Sequence, residues 1–348
     1  MITLIAFIFV FSILVFFHEL GHFLSAKAFG VKVYKFSFGF GPKLFGFTKN
    51  ETEYNICLIP LGGYVKMAGE LGQEDKDATL EKVPDKQRFD KKPISIRAII
   101  IALGPLMNII TSIVIISIIL LLNGIPMTTS VVETVIENGP AYKAGILAGD
   151  KITEINFEKI DDSKDIVDII SNNTGKELII TVDRGDKKYD LTIIPEYNKE
   201  YKRGMIGISL NVIAKKLNPL SAIGEGIKTT GNIIKLIFTN IVGMLTGKVE
   251  VEVAGPLGIA QMTGEFAKLG FLNLLYFTAI LSIFIGIFNL LPIPILDGGQ
   301  IIILCIEKIR NKPLEPEKMN VIYFIGILLI IMVFLFATYK DITRIFLD

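Results

Sequence analysis

His18-Glu19-Leu20-Gly21-His22 holds both histidines of the chain in one stretch. On a helix, positions i and i+4 share a face, so two imidazoles at that spacing can grip one Zn²⁺. The glutamate between them is close enough to act as general base on a water held at the metal. The setting is apolar: residues 1–17 carry no charged side chain. Ionisable groups within a membrane span are costly and mark function. These residues point to a zinc hydrolase with Glu19 as the base and a metal below the membrane surface.

Composition agrees with that setting. The chain has 348 residues, 51% of them hydrophobic, and a mean hydropathy of +0.54. That is too apolar for an ordinary soluble protein and implies several spans plus a polar part. The net charge of +1 gives no reason to expect a nucleic-acid partner. Cys57 and Cys305 lie far apart in apolar surroundings, so both are expected as packed thiols, without a disulfide framework or a cysteine zinc site. The N-terminal apolar stretch lacks a basic leader and a small-residue cleavage site. It also runs into the metal motif, so it is expected to be retained.

Four hydrophobic regions must position these groups: residues 1–29, 94–122, 271–306 and 321–338. About 20 apolar residues cross a bilayer as a helix. The first, second and fourth regions fit one crossing each. The third is too long, and Pro292 and Pro294 break it. A broken helix is tolerated in a membrane where it lines a cavity, which makes the break a candidate site. Lysines cluster at 27–49 and 91–97 (with Arg97) and again at 308–318 (with Arg310), which places these two loops in the cytoplasm. Residues 123–270 then lie outside.

Val31–Phe38 alternates like a strand, Gly39-Phe40-Gly41-Pro42 is a turn, and Tyr54–Ile59 and Gly63–Met67 are strand-like. This is either a small cytoplasmic sheet or a β-element near the metal with an edge free for an extended substrate. Residues 70–92 are charged and expected as a mobile loop. Residues 127–196 resemble an α/β module, with strands at Ser130–Val135 and Lys151–Phe157 and helices at Ala141–Ala148 and Asp165–Asn172. A hairpin is expected around Arg184-Gly185-Asp186. Residues 218–250 suggest a helix on the membrane surface.

Taken in order, the histidine motif, the module and Asn289-Leu290-Leu291-Pro292-Ile293-Pro294-Ile295-Leu296-Asp297-Gly298-Gly299 resemble the site-2 protease family of intramembrane zinc metalloproteases, in its bacterial RseP-type form with a PDZ domain. The resemblance covers nearly the whole chain. It implies that His18, His22 and Asp297 bind Zn²⁺, that Glu19 activates water, and that Asn289 helps hold substrate or transition state. It likens Gly39-Phe40-Gly41 to a substrate-guiding turn. It likens Gly204, Ile206 and Gly207 to the binding strand of a circularly permuted PDZ groove.

The expected fold is an α-helical multi-span membrane protein of about four transmembrane helices, with a membrane-associated β-element and an inserted PDZ domain. Its expected divisions are 1–126, 127–208 (PDZ), a helical linker at 209–270, and 271–348. The implied function is cleavage of single-span membrane proteins, such as anti-sigma factors or signal-peptide remnants, shortened beforehand by another protease. The protein is expected as a monomer in the cytoplasmic membrane, with its PDZ domain outside and the lipid bilayer as its other partner. Two rival classes are a non-enzymatic scaffold with structural zinc and a transporter with a broken helix. The intact Glu19 argues against the first, and the lack of an inverted repeat against the second.

Overall fold

A computed structural model describes residues 2–70, 83–185, 187–248, 254–312 and 314–346. The chain divides into two compact units, Met1–Ile119 with Pro219–Asp348, and Leu120–Asn218. The first begins with α1 (Ile2–Ala28), β1 (Val33–Lys49) and β2 (Thr52–Met67), followed by α2 (Ile94–Asn123). Helix α1 is apolar on every face as far as Phe17, as a membrane span requires, and then carries the polar His18–His22 turn. Gly21 lets it approach α2 closely, because any Cβ there would collide with the Leu103 carbonyl.

The β-element folds back on itself. Partner numbers rise together along Lys35↔Glu53 to Phe38↔Ile56 but fall along Phe45↔Ile56 to Lys49↔Thr52. The chain therefore reverses between Phe38 and Phe45, where Gly39 (φ 90°) and Gly41 (φ 85°) adopt the left-handed conformation glycine permits. A second reversal uses Asn50 and Glu51, both at positive φ. Phe36 and Val65 join Ile100 and Ile101 in one core. The far end of the element exposes Phe40, Leu44, Phe45, Phe47, Leu58 and Ile59, a surface suited to lipid or apolar chain. Residues 71–82 of the expected loop lie outside the described residues. Its remainder is tied down: Lys32 N–H donates to Gln87 O at 2.9 Å and Phe89 N–H to Ala68 O at 2.7 Å.

The second unit contains β3 (Ile125–Val135), α3 (Pro140–Ala144), β4 (Lys151–Ile155), β5 (Glu158–Lys159), α4 (Ser163–Asn172), β6 (Leu178–Arg184), β7 (Lys187–Ile193), β8 (Glu196–Asn198), β9 (Arg203–Met205) and β10 (Ile208–Lys215). Its main sheet runs β10-β3-β4-β6-β7, leaving β10 at an edge. Both helices carry local signals: Gly139-Pro140 opens α3 and Gly145 at φ 90° closes it, and Asp162 caps α4 by accepting from Lys164 N–H at 3.0 Å. Ile152, Ile155, Ile166, Ile180 and Ile206 fill the core. Buried Asp150 ties the Leu147 turn to Arg184, accepting two guanidinium bonds of 2.7 and 2.8 Å. This is the inserted PDZ module. It is wider than 127–208, since β3 and β10 stay paired out to Ile125↔Lys215.

The first unit resumes with α5 (Pro219–Leu245), α6 (Pro256–Lys268), α7 (Phe271–Asn289), α8 (Asp297–Arg310) and α9 (Pro316–Phe346). Among the described residues, four helices are long and apolar enough to span a membrane: Ile2–Ala28, Ile94–Asn123, Phe271–Asn289 and Glu317–Arg344. The long third region splits as its prolines require, and α8 is a separate amphipathic helix. Cys57 is buried, but Cys305 is exposed, contrary to expectation. It faces away from the side of α8 that buries Ile303, Leu304 and Glu307. Helix α5 packs Ile233, Ile237 and Ile241 against Ile283 and Ile287 of α7 rather than serving only as a surface helix. Helix α6 lies within the expected helical linker, with Pro256 in its first turn. Asp341 of α9 holds its first turn, accepting from Gly255 N–H (3.0 Å) and Gly258 N–H (2.7 Å).

Candidate metal centre and active site

One helical turn of α1 brings His18 Nε2 and His22 Nε2 to 3.3 Å. The Asp297 carboxylate completes the group, with Oδ2 3.2 Å from His18 Nε2 and Oδ1 3.6 Å from His22 Nε2. Four ligands at about 2.1 Å around a tetrahedral Zn²⁺ lie ~3.4 Å from one another. The three separations match that spacing. The tautomer of His22 fits as well. Its Nδ1 lies 3.0 Å from Ile100 O, and a carbonyl only accepts, so Nδ1 carries a proton and, in the neutral ring that metal binding requires, Nε2 is the bare nitrogen. A bare nitrogen and a carboxylate turned toward one point are unfavourable together unless a cation lies between them. The donor set therefore suits zinc.

Helix α2 supplies the backing for the two rings. Gly104 lies against the His22 ring, and a Cβ there would fall 2.9 Å from Cδ2 and still closer to Nε2 and Cε1. Pro105 removes one helical amide next to the turn whose carbonyls face α1. Asn108, fully buried, places its side-chain amide 3.3 Å from His18 Nδ1. Neither Gly104 nor Asn108 had been singled out from sequence. The available signal was a polar asparagine inside an apolar span.

The break after α7 explains how Asp297 arrives. Leu290, Leu291 and Ile293 close tight turns, and α8 restarts at Asp297 with Leu296 as its N-cap. Asp297 is thus in the first turn, where a carboxylate suits the helix dipole, and it is not the cap. Gly298 and Gly299 permit the fold-back: a Cβ on either would strike the carbonyls of Leu290 or Ile293. The carboxylate, whose side chain is only 14% exposed, is thereby turned toward the histidines.

Glu19 faces the β-element. Gly63 of β2 comes so close that a Cβ there would lie 3.2 Å from Glu19 Cγ, and the Val65 amide points to the carboxylate. Asn289 ends α7, half-buried, with no side-chain hydrogen bond among the described residues. On another side, Glu70, Arg97, Gln300, Glu307 and Tyr323 line a small polar cavity of about 70 Å³. Arg97 there donates to Glu307 at 3.1 Å, so it is an ion-pair partner as well as a boundary residue. Burial pushes the Glu70 carboxyl up to about 7. The Met67 N–H opposes the rise, and the charges of Glu19 and Asp297 add to it.

The other expected site residues are spread over two places. Gly39, Phe40 and Gly41 form the β-element reversal, with Phe40 stacked on Tyr64 at 6.4 Å. In the PDZ module, Gly204, Ile206 and Gly207 border a groove of about 220 Å³ between α4 and β10. Gly204 touches α4, where a Cβ would come within 2.9 Å of Ile170 O, and Gly207 takes φ 79°. The Ile206 side chain turns into the core, so that residue can offer the groove only its backbone.

The description "Peptidase family M50" matches residues 6–333. The regulator of sigma-W protease RasP of Bacillus subtilis is 35% identical, with 99% of each chain covered. The zinc metalloprotease RasP of Geobacillus kaustophilus is 33% identical, again over 99% of each chain. Among solved structures, the PDZ domain of an SdrC-like protein from Listeria innocua is 29% identical. It covers 24% of this chain and 93% of that one, at a TM-score of 0.22. The chain belongs to peptidase family M50 and is a membrane-spanning metalloprotease.

Proposed function

We propose that His18, His22 and Asp297 hold one Zn²⁺ and that the protein hydrolyses peptide bonds in the membrane segments of single-span proteins. The observation that carries this reading is the matched spacing of 3.2–3.6 Å among three donors from two distant helices. When bound, zinc would acidify a water and polarise the scissile carbonyl. Glu19 takes the proton of the attacking water and returns it to the leaving amine. The free amide of Asn289 donates to the developing oxyanion. A helical substrate hides its carbonyls, so it must unwind locally. The Gly63–Met67 edge beside Glu19 and the Gly39–Gly41 reversal give the unwound chain a strand to pair with.

The substrates we infer are of the anti-sigma-factor or signal-peptide-remnant type, shortened beforehand outside the cell. The sigma-W protease name of the Bacillus subtilis relative supports this class. The protein would act as a monomer in the cytoplasmic membrane, with the PDZ module outside. The module would restrict entry, either by gripping a peptide along β10 or as a steric barrier. The test is cleavage of a single-span substrate, full-length and pre-shortened, by the purified protein and its Glu19→Gln variant. Loss of a defined cleavage in Glu19→Gln, with the fold retained, supports the reading. Equal cleavage by both proteins removes Glu19 from it.

A further inference from the structure

We infer that Asn108 is a positioning residue for the metal centre: its side-chain oxygen accepts the Nδ1 proton of His18 and so leaves Nε2 bare for a cation. The inference rests on the proposed assignment of His18 as a zinc ligand. The two histidines use points on α2 two turns apart. His22 donates Nδ1–H to the Ile100 carbonyl, which fixes its tautomer without a side-chain partner. Two turns further along α2, His18 meets the amide of Asn108 at 3.3 Å instead of a carbonyl.

An amide can present either end. With nitrogen toward the ring, the amide donates to Nδ1, the ring proton moves to Nε2, and His18 cannot ligate through that atom. In that orientation Asn108 Oδ1 is also buried without a partner. With the ends exchanged, the oxygen accepts from Nδ1–H, Nε2 is left bare, and the amide nitrogen takes the oxygen's place as the end without a partner. His18 then matches His22, with both Nε2 atoms bare and directed at the Asp297 carboxylate.

Asn108 is well placed for such a role. Its own carbonyl accepts from Ser282 Oγ of α7 at 2.8 Å and from Ser112 Oγ at 3.1 Å. Ser112 Oγ also donates to Ala279 O at 2.7 Å. The residue is therefore pinned between α2 and α7 while its side chain turns toward α1. Outer partners of this kind orient metal-binding imidazoles, and losing one weakens metal binding about 10- to 100-fold.

The chain's two histidines make the test direct. The full-length protein, zinc-free, with ring-¹⁵N histidine, is compared by NMR with Asn108→Leu and Asn108→Asp at mildly alkaline pH. The Kd for Zn²⁺ of each protein is measured alongside. In the unaltered protein both Nδ1 atoms should be protonated and both Nε2 bare. Asn108→Leu should leave His22 unchanged, give His18 a substantial Nε2–H population, and raise the zinc Kd about 10- to 100-fold. Asn108→Asp keeps an acceptor, so the tautomer should be restored and the zinc Kd largely recovered. Unchanged tautomers and Kd in Asn108→Leu would overturn the inference. So would equal zinc loss in both variants with His22 signals also moved, because that marks a packing role. If the unaltered protein bound no zinc, the ligand assignment would fail. The zinc-free tautomer would still decide the role of Asn108.

Discussion

Gly104→Ala isolates the contact between α2 and the metal centre. Alanine favours a helix interior over glycine by about 0.5–1 kcal/mol, so propensity alone makes the variant more stable. The added methyl, however, would overlap the His22 ring at Nε2 and Cε1. Overpacking of this kind costs ~1–3 kcal/mol, so the net change in stability is a loss of about 0–2.5 kcal/mol. The effect on metal is larger in kind. To make room, the ring must swing off Ile100 O, losing the 3.0 Å bond that sets its tautomer. A 10- to 100-fold weaker zinc affinity follows, equal to about 1.4–2.7 kcal/mol. Gly224→Ala on α5 is the control, since a Cβ there meets nothing within 4 Å. It should gain up to about 1 kcal/mol and keep its zinc. Thermal melts and competitive zinc titration of purified proteins give both quantities. Gly104→Ala with unaltered zinc affinity would refute the close backing of His22 by α2.

The PDZ module's stability should depend on acid through Asp150. The Arg184 guanidinium holds its carboxyl below the usual range against the opposing effect of burial, and the Leu147 N–H helps. A lowered folded pKa means the contribution is complete above about pH 4 and is lost as pH falls through the folded value. Urea midpoints by tyrosine fluorescence from about pH 6 to about pH 2 should therefore fall in the parent and be flatter in Asp150→Asn. Thiols placed at exposed Lys159 and Lys86, in a Cys305→Ala background, should react from outside and from the cytoplasm respectively; the reverse labelling would invert the topology. Replacing residues 125–215 with a flexible linker should leave zinc bound and permit cleavage of a substrate with a bulky external domain. If that folded, zinc-loaded protein cut neither long nor short substrates, the module would be part of the catalytic architecture.

Much of the site was legible because helical geometry is local. His18 and His22 declared their shared face by spacing alone, with Glu19 between them, and Pro292 and Pro294 declared the break that frees Asp297. What joins Asp297 to His18 is tertiary, and only the resemblance to a family anticipated it. The backing of the rings was not legible. Ile100 O, Gly104 and Asn108 act on partners 78 to 90 positions away in the chain, and a backbone carbonyl leaves no mark in sequence. The reversal at Gly39–Pro42 was visible through its glycines. The tie between Lys32 and Gln87 was not, because these residues meet through backbone atoms. The bounds of helix α6 within the linker were not legible, because its first turn is held by Asp341, far away in α9. Cys305 was misplaced because an apolar neighbourhood in sequence says nothing about which side of an amphipathic helix a residue occupies.

Zinc K-edge X-ray absorption of the purified, catalytically silent Glu19→Gln protein tests the central claim most directly. The expected spectrum has only nitrogen and oxygen neighbours at about 2.0–2.1 Å, with multiple scattering from two imidazoles. In Asp297→Ala one oxygen neighbour should be lost or exchanged for water, together with most of the bound metal. A sulfur shell at about 2.3 Å, or an unchanged spectrum and full occupancy in Asp297→Ala, would contradict a centre built from His18, His22 and Asp297.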